Sequence, residues 1–506
     1  MATSHDLAEL RGLALATLFP GFEGTSAPPS WLVRLAAEGL GGVVLFGRNI
    51  DPARGDAGVA GLAAALHAAA PGLLIGIDEE GGDVTRLDVA QGSSVPGNAA
   101  LGALDDVDAT EAVAAELGAR LRACGIDLNF APVADVDLNP HNPVIGVRAF
   151  GFDPELVARH VGAFVAGQQS QRVVAAAKHF PGHGATSEDS HLTVPVLDES
   201  LDVLRRRELA PFRAAVKADV KIVMTAHIRV TALDADDPGT LSPAVVTGLL
   251  REELGYDGVV MTDGLDMHAI SQTVGHAEAG VRALLAGVDA LCVGGESTDA
   301  GVVEGMAAAI VEAVVAGRLP YARLAEAARR VRGLRAWVDE PVVAGLRDGA
   351  ARQAAGRAVS AHGRVAVDGS PLVVEFHDDP SLAAGYVPWG VGGPLAARMP
   401  DAVVVRLTED GPAIGDVLAE HAGRPLVVAV RGVRRRPWQA AALEAARALR
   451  PDLVVVDHDV ASEPEVLGDH YVLAHGAARV TAEAAAELIA ADGAAARGAT
   501  SAEAAR

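Results

Sequence analysis

The chain has 506 residues, half of them hydrophobic but only 4% aromatic, so its cores must be built largely from Ala, Val and Leu. Its 66 acidic against 42 basic residues give a formal charge of −24, which argues against nucleic acid as a partner. The length exceeds one ordinary domain, and two cysteines, Cys124 and Cys292, are too few for a disulfide framework or a zinc cluster.

The first residues lack a basic segment followed by a long apolar run, and every apolar stretch is strand-length or carries charges. Neither a signal peptide nor a membrane span is expected, and the expected compartment is the cytoplasm. Short apolar runs at 13–18, 42–46, 73–77, 126–130, 173–177, 220–225, 258–262 and 290–293 read as strands. They are continuous rather than alternating, as parallel strands buried on both faces require. The segments 101–124, 157–172, 201–218 and 277–286 carry apolar residues at helical spacing. This alternation predicts an α/β chain whose first part is a (β/α)8 TIM-type barrel, with a doubly wound open sheet as the alternative. A helix at 321–334 would close the barrel. A second run of strands at 372–376, 402–407, 425–430, 453–457 and 471–474, with helices at 438–449 and 482–490, predicts a smaller α/β sandwich. The expected ranges are 1–337 for the barrel, 338–365 for a linker and helix, and 366–506 for the sandwich, whose Ala/Gly/Ser-rich end should fray.

In a (β/α)8 barrel the carboxyl ends of the strands converge on one face. Polar residues collect there: Gly47-Arg48-Asn49, then Asp78-Glu79-Glu80-Gly81-Gly82-Asp83 with Arg86, then Asp135, Asp137, Asn142 and Arg148, then His227, then Asp263. One acid at a strand end is commonly a cap or an ion pair, whereas six consecutive loops of this kind point to chemistry. The densest is Lys178-His179-Phe180-Pro181-Gly182-His183-Gly184, followed by Asp189-Ser190-His191. Its glycines read as a hinge. A metal reading of His183, Asp189 and His191 lacks a second cluster at ligand spacing, and Gly81-Gly82 is not followed by a phosphate-loop lysine.

These motifs resemble glycoside hydrolase family 3, in its bacterial β-N-acetylglucosaminidase branch. The resemblance is carried by the Lys178–Gly184 and Asp189–His191 motifs and by the Asp263 segment. It is carried further by Gly42–Asn49, by Asp78–Gly82, and by the segments 129–136 and 142–151. It implies an exo-acting, retaining enzyme releasing terminal β-linked N-acetylglucosamine without cofactor or metal. Asp263 would be the nucleophile, and His191 with Asp189 the acid/base pair. Asp78, Arg86, Arg148, Lys178, His179 and His227 would bind the sugar. The implied partner is a small carbohydrate, a β-N-acetylglucosaminide or β-glucoside such as a muropeptide or chitin fragment. Nucleic acid and membrane are not expected as partners. An imidazole in place of a carboxylate base would not repel phosphate, so a phosphorylase using inorganic phosphate and a broad β-glucosidase stand as alternatives. The chain departs from the branch at Glu79, where Gln is usual, and at Asp83 and Ala185, where Arg and Asp are common. These departures bear on leaving-group preference and on strictness for the N-acetyl group.

Overall fold

The computed structural model describes residues 6–490 except 191, 296–298, 343–344, 379–383 and 461. The tail expected to fray lies outside the described residues. Packing divides the chain into two units that do not follow chain order. One comprises Met1–Glu80, Val107–Ile145 and Ala149–Asp348, and the other Gly81–Asp106, Gly146–Arg148 and Gly349–Arg506.

The first unit contains eight barrel strands, seven of them where expected: β1 (Leu18–Pro20), β2 (Gly42–Leu45), β3 (Leu74–Ile77), β4 (Leu128–Asn129), β5 (Val174–Phe180), β6 (Ile222–Thr225), β7 (Val259–Thr262) and β8 (Leu291–Gly294). Strands β2 to β7 form one parallel sheet in chain order. Strand β8 pairs in parallel with β1, and a bridge between Met261 and Ala290 joins β7 to the residue before β8. Beside β1 and β2, the Gly41 amide donates to the Leu15 carbonyl at 3.0 Å. The result is the expected (β/α)8 barrel. Its interior is filled by Phe19, Val44, Leu74, Leu128, Phe130, Val174, Ile222, Met224 and Met261. The closing helix, Tyr321–Val338, adds Val331, Leu334 and Val338 to the same cluster.

Three local expectations need correction. The first strand is not at 13–18: Leu7–Leu15 is a helix capped by the Asp6 carboxylate, which accepts from the Ala8 amide at 3.0 Å. Its buried residues Leu10, Leu13 and Ala14 fall at the i, i+3, i+4 spacing of a helix face, and an apolar run this short does not tell strand from helix. The helix expected at 101–124 is two, Asn98–Leu104 and Val107–Ala123, separated where Asp105 adopts a left-handed conformation. The segment 201–218 likewise splits into Leu201–Arg206 and Leu209–Lys217.

The second unit holds a six-stranded sheet of β9 (Ser360–His362), β10 (Leu372–Phe376), β11 (Val403–Leu407), β12 (Leu426–Val430), β13 (Val454–Asp457) and β14 (Tyr471–Leu473). Its order is β9–β14–β13–β12–β10–β11, parallel except for β9. Alternate residues of the central strands feed separate apolar clusters on the two faces, Val374, Val428 and Val455 on one and Val373, Val427 and Val456 on the other. This is the expected α/β sandwich. The inserted segments belong to it by contact: Asp106 pairs with Arg357 at 2.7 Å, and the Val480 amide donates to the Ser93 carbonyl at 3.2 Å.

Candidate active site

Strand β5 loses its regular register between Ala177 and Phe180. There Lys178 pairs instead with the extension of β4: its amide donates to the Pro132 carbonyl at 3.1 Å, and its carbonyl accepts from Ala134 at 2.6 Å. The Lys178–His179 peptide is cis, as are Ala131–Pro132 and Phe180–Pro181. The Lys178 ammonium is buried between two carboxylates from the end of β3, 2.7 Å from Asp78 and 2.7 Å from Glu80. Those acids are fixed by Asn129 of β4, whose side chain accepts from the Glu79 amide at 2.9 Å and donates to the Glu79 carbonyl at 2.8 Å. Glu80 is a partner the sequence reading did not single out, although it stands two residues from Asp78.

Asp135, on the extension of β4, is fully buried. It accepts from His179 Nδ1 at 2.7 Å and from the His183 amide at 2.6 Å. Burial alone would raise this carboxyl, but the electrostatic pull and hydrogen bond of His179, and then the contact with His183, hold it below the ordinary carboxylate range.

His183 is buried, and burial pushes it down to about 4 against the pull of Asp135. It is therefore neutral. Its Nδ1 lies 2.7 Å from the Thr186 hydroxyl, which itself donates to the His183 carbonyl at 2.9 Å, so Nδ1 carries the hydrogen. Its Nε2 is then the acceptor for the Ser190 hydroxyl at 3.1 Å. Both ring nitrogens are thus engaged by hydroxyls. The side chain of Asn142 locks the same turn, donating to the carbonyls of His183 and Thr186 at 3.0 and 3.1 Å. The expected hinge at Gly184 is also corrected: a Cβ there would lie 1.7 Å from the Val136 carbonyl oxygen, so glycine is needed for a close backbone approach. Asp189 is half-buried, and its carbonyl accepts from the amides of Leu192 and Thr193, each at 3.0 Å. His191 lies outside the described residues.

At the end of β7, Asp263 is half-buried and accepts from the Gly264 amide at 2.8 Å. His227, at the end of β6, is fully buried. Its Nε2–H donates to the Gly264 carbonyl at 2.8 Å, and its Nδ1 meets the Thr240 hydroxyl at 2.8 Å. It therefore braces the backbone beside Asp263. Burial, and then the negative charges of Asp266, Asp263 and Asp78, push the Cys292 thiol far up. These acids from β3 and β7 accordingly share the field at the end of β8.

The two arginines of the expected sugar set lie in the second unit. Arg86 donates to the Ala384 carbonyl at 3.1 Å. Arg148 is buried, and its carbonyl accepts from Asn98 at 2.7 Å. Gly82, in the same unit, has φ +64, and a Cβ would lie 2.6 Å from Gly97 Cα. Among the described residues, no group of three or more His, Cys, Asp and Glu is arranged to hold a metal ion. No helix among them is long and apolar enough to cross a membrane.

Residues 31–334 match the glycosyl hydrolase family 3 N-terminal domain. A beta-hexosaminidase A from Pseudoalteromonas piscicida is 39% identical over 287 residues, 52% of this chain and 47% of that protein, so the chain matches under half of this relative's length. A beta-hexosaminidase from Stenotrophomonas maltophilia is 40% identical over 281 residues, 54% of this chain and 81% of that protein. Among solved structures, a family 3 β-N-acetylglucosaminidase from Paenibacillus sp. FPU-7 superposes with a TM-score of 0.85 at 33% identity. That similarity covers 95% of this chain and 96% of the other.

Proposed function

The chain belongs to glycosyl hydrolase family 3, and from that premise we propose that it is an exo-acting, retaining β-N-acetylglucosaminidase. The observation that carries the reading is the tie of Lys178 to Asp78 at 2.7 Å in a barrel whose β7 is followed directly by Asp263. A buried ammonium beside a carboxylate offers donors and an acceptor to vicinal sugar hydroxyls, and the half-buried Asp263 supplies a nucleophile. The names of the relatives support N-acetylglucosamine as the sugar removed.

In the proposed reaction the Asp263 carboxylate attacks the anomeric carbon as the bond to the leaving oxygen breaks. His191, held by Asp189, donates a proton to that oxygen. The same imidazole then takes a proton from water, which opens the glycosyl-enzyme with overall retention. His179 joins Asp78 and Lys178 as a sugar ligand. His227 acts by holding Gly264, and through it Asp263, since both of its ring nitrogens are occupied. The proposed substrates are muropeptide or chitin fragments in the cytoplasm, a compartment in keeping with the two buried free cysteines.

Product analysis on a panel of aryl β-glycosides, with and without phosphate, tests this. Release of free N-acetylglucosamine of β configuration, independent of phosphate, is expected. Phosphate-dependent appearance of the sugar 1-phosphate would make the enzyme a phosphorylase. Faster release of glucose than of N-acetylglucosamine would make it a β-glucosidase.

A further inference from the structure

Asp135 is a fully buried carboxylate that the nucleophile and the acid/base pair leave unexplained. Its Oδ2 faces His179 Nδ1 at 2.7 Å, while its Oδ1 takes the His183 amide at 2.6 Å and the His179 amide at 3.3 Å. An ionised carboxylate has no hydrogen to give, so Nδ1 of His179 must carry it. In the neutral imidazole, Nε2 is then the lone-pair nitrogen. The buried ring of His179 stands edge-on to His183, 6.1 Å between centroids, and His183 is itself locked by Thr186 and Ser190. One carboxylate therefore fixes a side chain and the two ends of the turn that follows it.

We propose that Asp135 is a positioning residue for the reaction, acting through His179 by enforcing the Nδ1–H tautomer, so that Nε2 meets the sugar as an acceptor. The role assigned to His179 rests on the glycosidase reading; the tautomer does not. Asp135→Asn separates the parts of this idea. If the amide oxygen keeps the two backbone amides, the NH2 group turns to His179 Nδ1. That nitrogen must then accept, and the hydrogen moves to Nε2, as when the aspartate of a catalytic triad is replaced by asparagine.

The test is 15N spectroscopy of histidine-labelled protein, with His179 assigned by His179→Gln, alongside kinetics on 4-nitrophenyl N-acetyl-β-glucosaminide. The unsubstituted protein should show His179 protonated at Nδ1 and Asp135→Asn should show it at Nε2. The value of kcat/KM should fall roughly tenfold to a hundredfold, the scale known for a carboxylate behind a metal-bound imidazole, and less than in a catalytic triad because His179 binds the sugar and transfers no proton. In a His179→Ala background the same substitution should cost less than about twofold, because its route is gone. An Nε2–H signal in the unsubstituted protein overturns the proposal whether or not the variant folds, and so does an undiminished loss in the His179→Ala background. If the unsubstituted protein does not turn over the aryl glycoside, the glycosidase reading fails while the tautomer result stands.

Discussion

Gly184→Ala should damage the enzyme through backbone geometry alone. A Cβ at this position falls 1.7 Å from the Val136 carbonyl oxygen and 2.5 Å from its carbon. Real Cβ atoms essentially never approach closer than 3.0 Å, so the two segments must separate by more than about 1 Å. Neither can do so freely. Val136 is adjacent to Asp135, whose carboxylate holds the His183 amide at 2.6 Å, and Asn142 holds the His183 carbonyl at 3.0 Å. The displacement therefore passes into the turn that leads to Asp189. A misplacement of about 1 Å near a reacting centre costs on the order of a hundredfold in rate. Overpacking of a tight contact costs about 1–3 kcal/mol of stability. The assay is kcat/KM on an aryl N-acetyl-β-glucosaminide together with a thermal melt. Gly162→Ala serves as control: it lies in the helix Pro154–Ser170 with nothing within 4 Å of the added methyl, and should stabilise by roughly 0.5–1 kcal/mol. A Gly184→Ala protein with unchanged rate and melting temperature would refute the close-approach argument.

Asp263→Asn should leave the fold intact and lower kcat by a factor on the order of 10⁴ or more, the scale seen when a catalytic nucleophile is removed; turnover near the original rate would exclude it as nucleophile. Asp289 is fully buried, accepts from Arg251 at 2.5 Å and from the Val260 amide at 3.0 Å, and also pairs with Arg323. Asp289→Ala removes the carboxylate these arginines share and should cost about 3–5 kcal/mol in denaturant unfolding. In the second unit, burial and then the neighbouring charge of Asp459 push the Asp457 carboxyl up from the ordinary 3.8 to about 7. The protonated form is thus the one the fold favours. Its contribution is complete below the unfolded value, near pH 4, and is lost as the pH rises through about 7. The melting temperature should accordingly fall between about pH 4 and about pH 7, and Asp457→Asn should flatten that fall; an equal slope in both proteins would exclude Asp457 as its source.

The barrel was legible because seven of its strands coincide with short continuous apolar runs in the sequence and are buried at every position, as parallel strands covered on both faces must be. The first strand was not, since the helical spacing of Leu10, Leu13 and Ala14 merges into the apolar run ahead of β1. At the site, strand-end position picked out Asp78, Lys178, His179 and Asp263 but could not rank the histidines. Burial and partners rank them: His183 and His227 have both ring nitrogens engaged, whereas His179 has Nδ1 on Asp135. A glycine that permits motion and a glycine that permits contact look alike in sequence. Only the position of the Val136 carbonyl shows which kind Gly184 is.

Asp83 makes the same point about departures from a family pattern. An acid where the family resemblance leads one to expect Arg, four residues past Glu79, reads in sequence as a change in how the leaving group is met. In the structure its carboxylate is occupied within the second unit. One oxygen pairs with Arg431, and the other accepts from the Ala477 amide at 2.8 Å. Arg431 in turn lies over the Trp389 ring, 5.6 Å from its centroid. A buried acid bonded on both oxygens has little left to offer a substrate. An arginine in its place would face Arg431 and leave the Ala477 amide without its acceptor. The substitution is therefore one half of a charge pair whose other half lies far along the chain, at β12. Its consequence belongs to the fixing of the Gly81–Asp106 segment, which also carries Arg86.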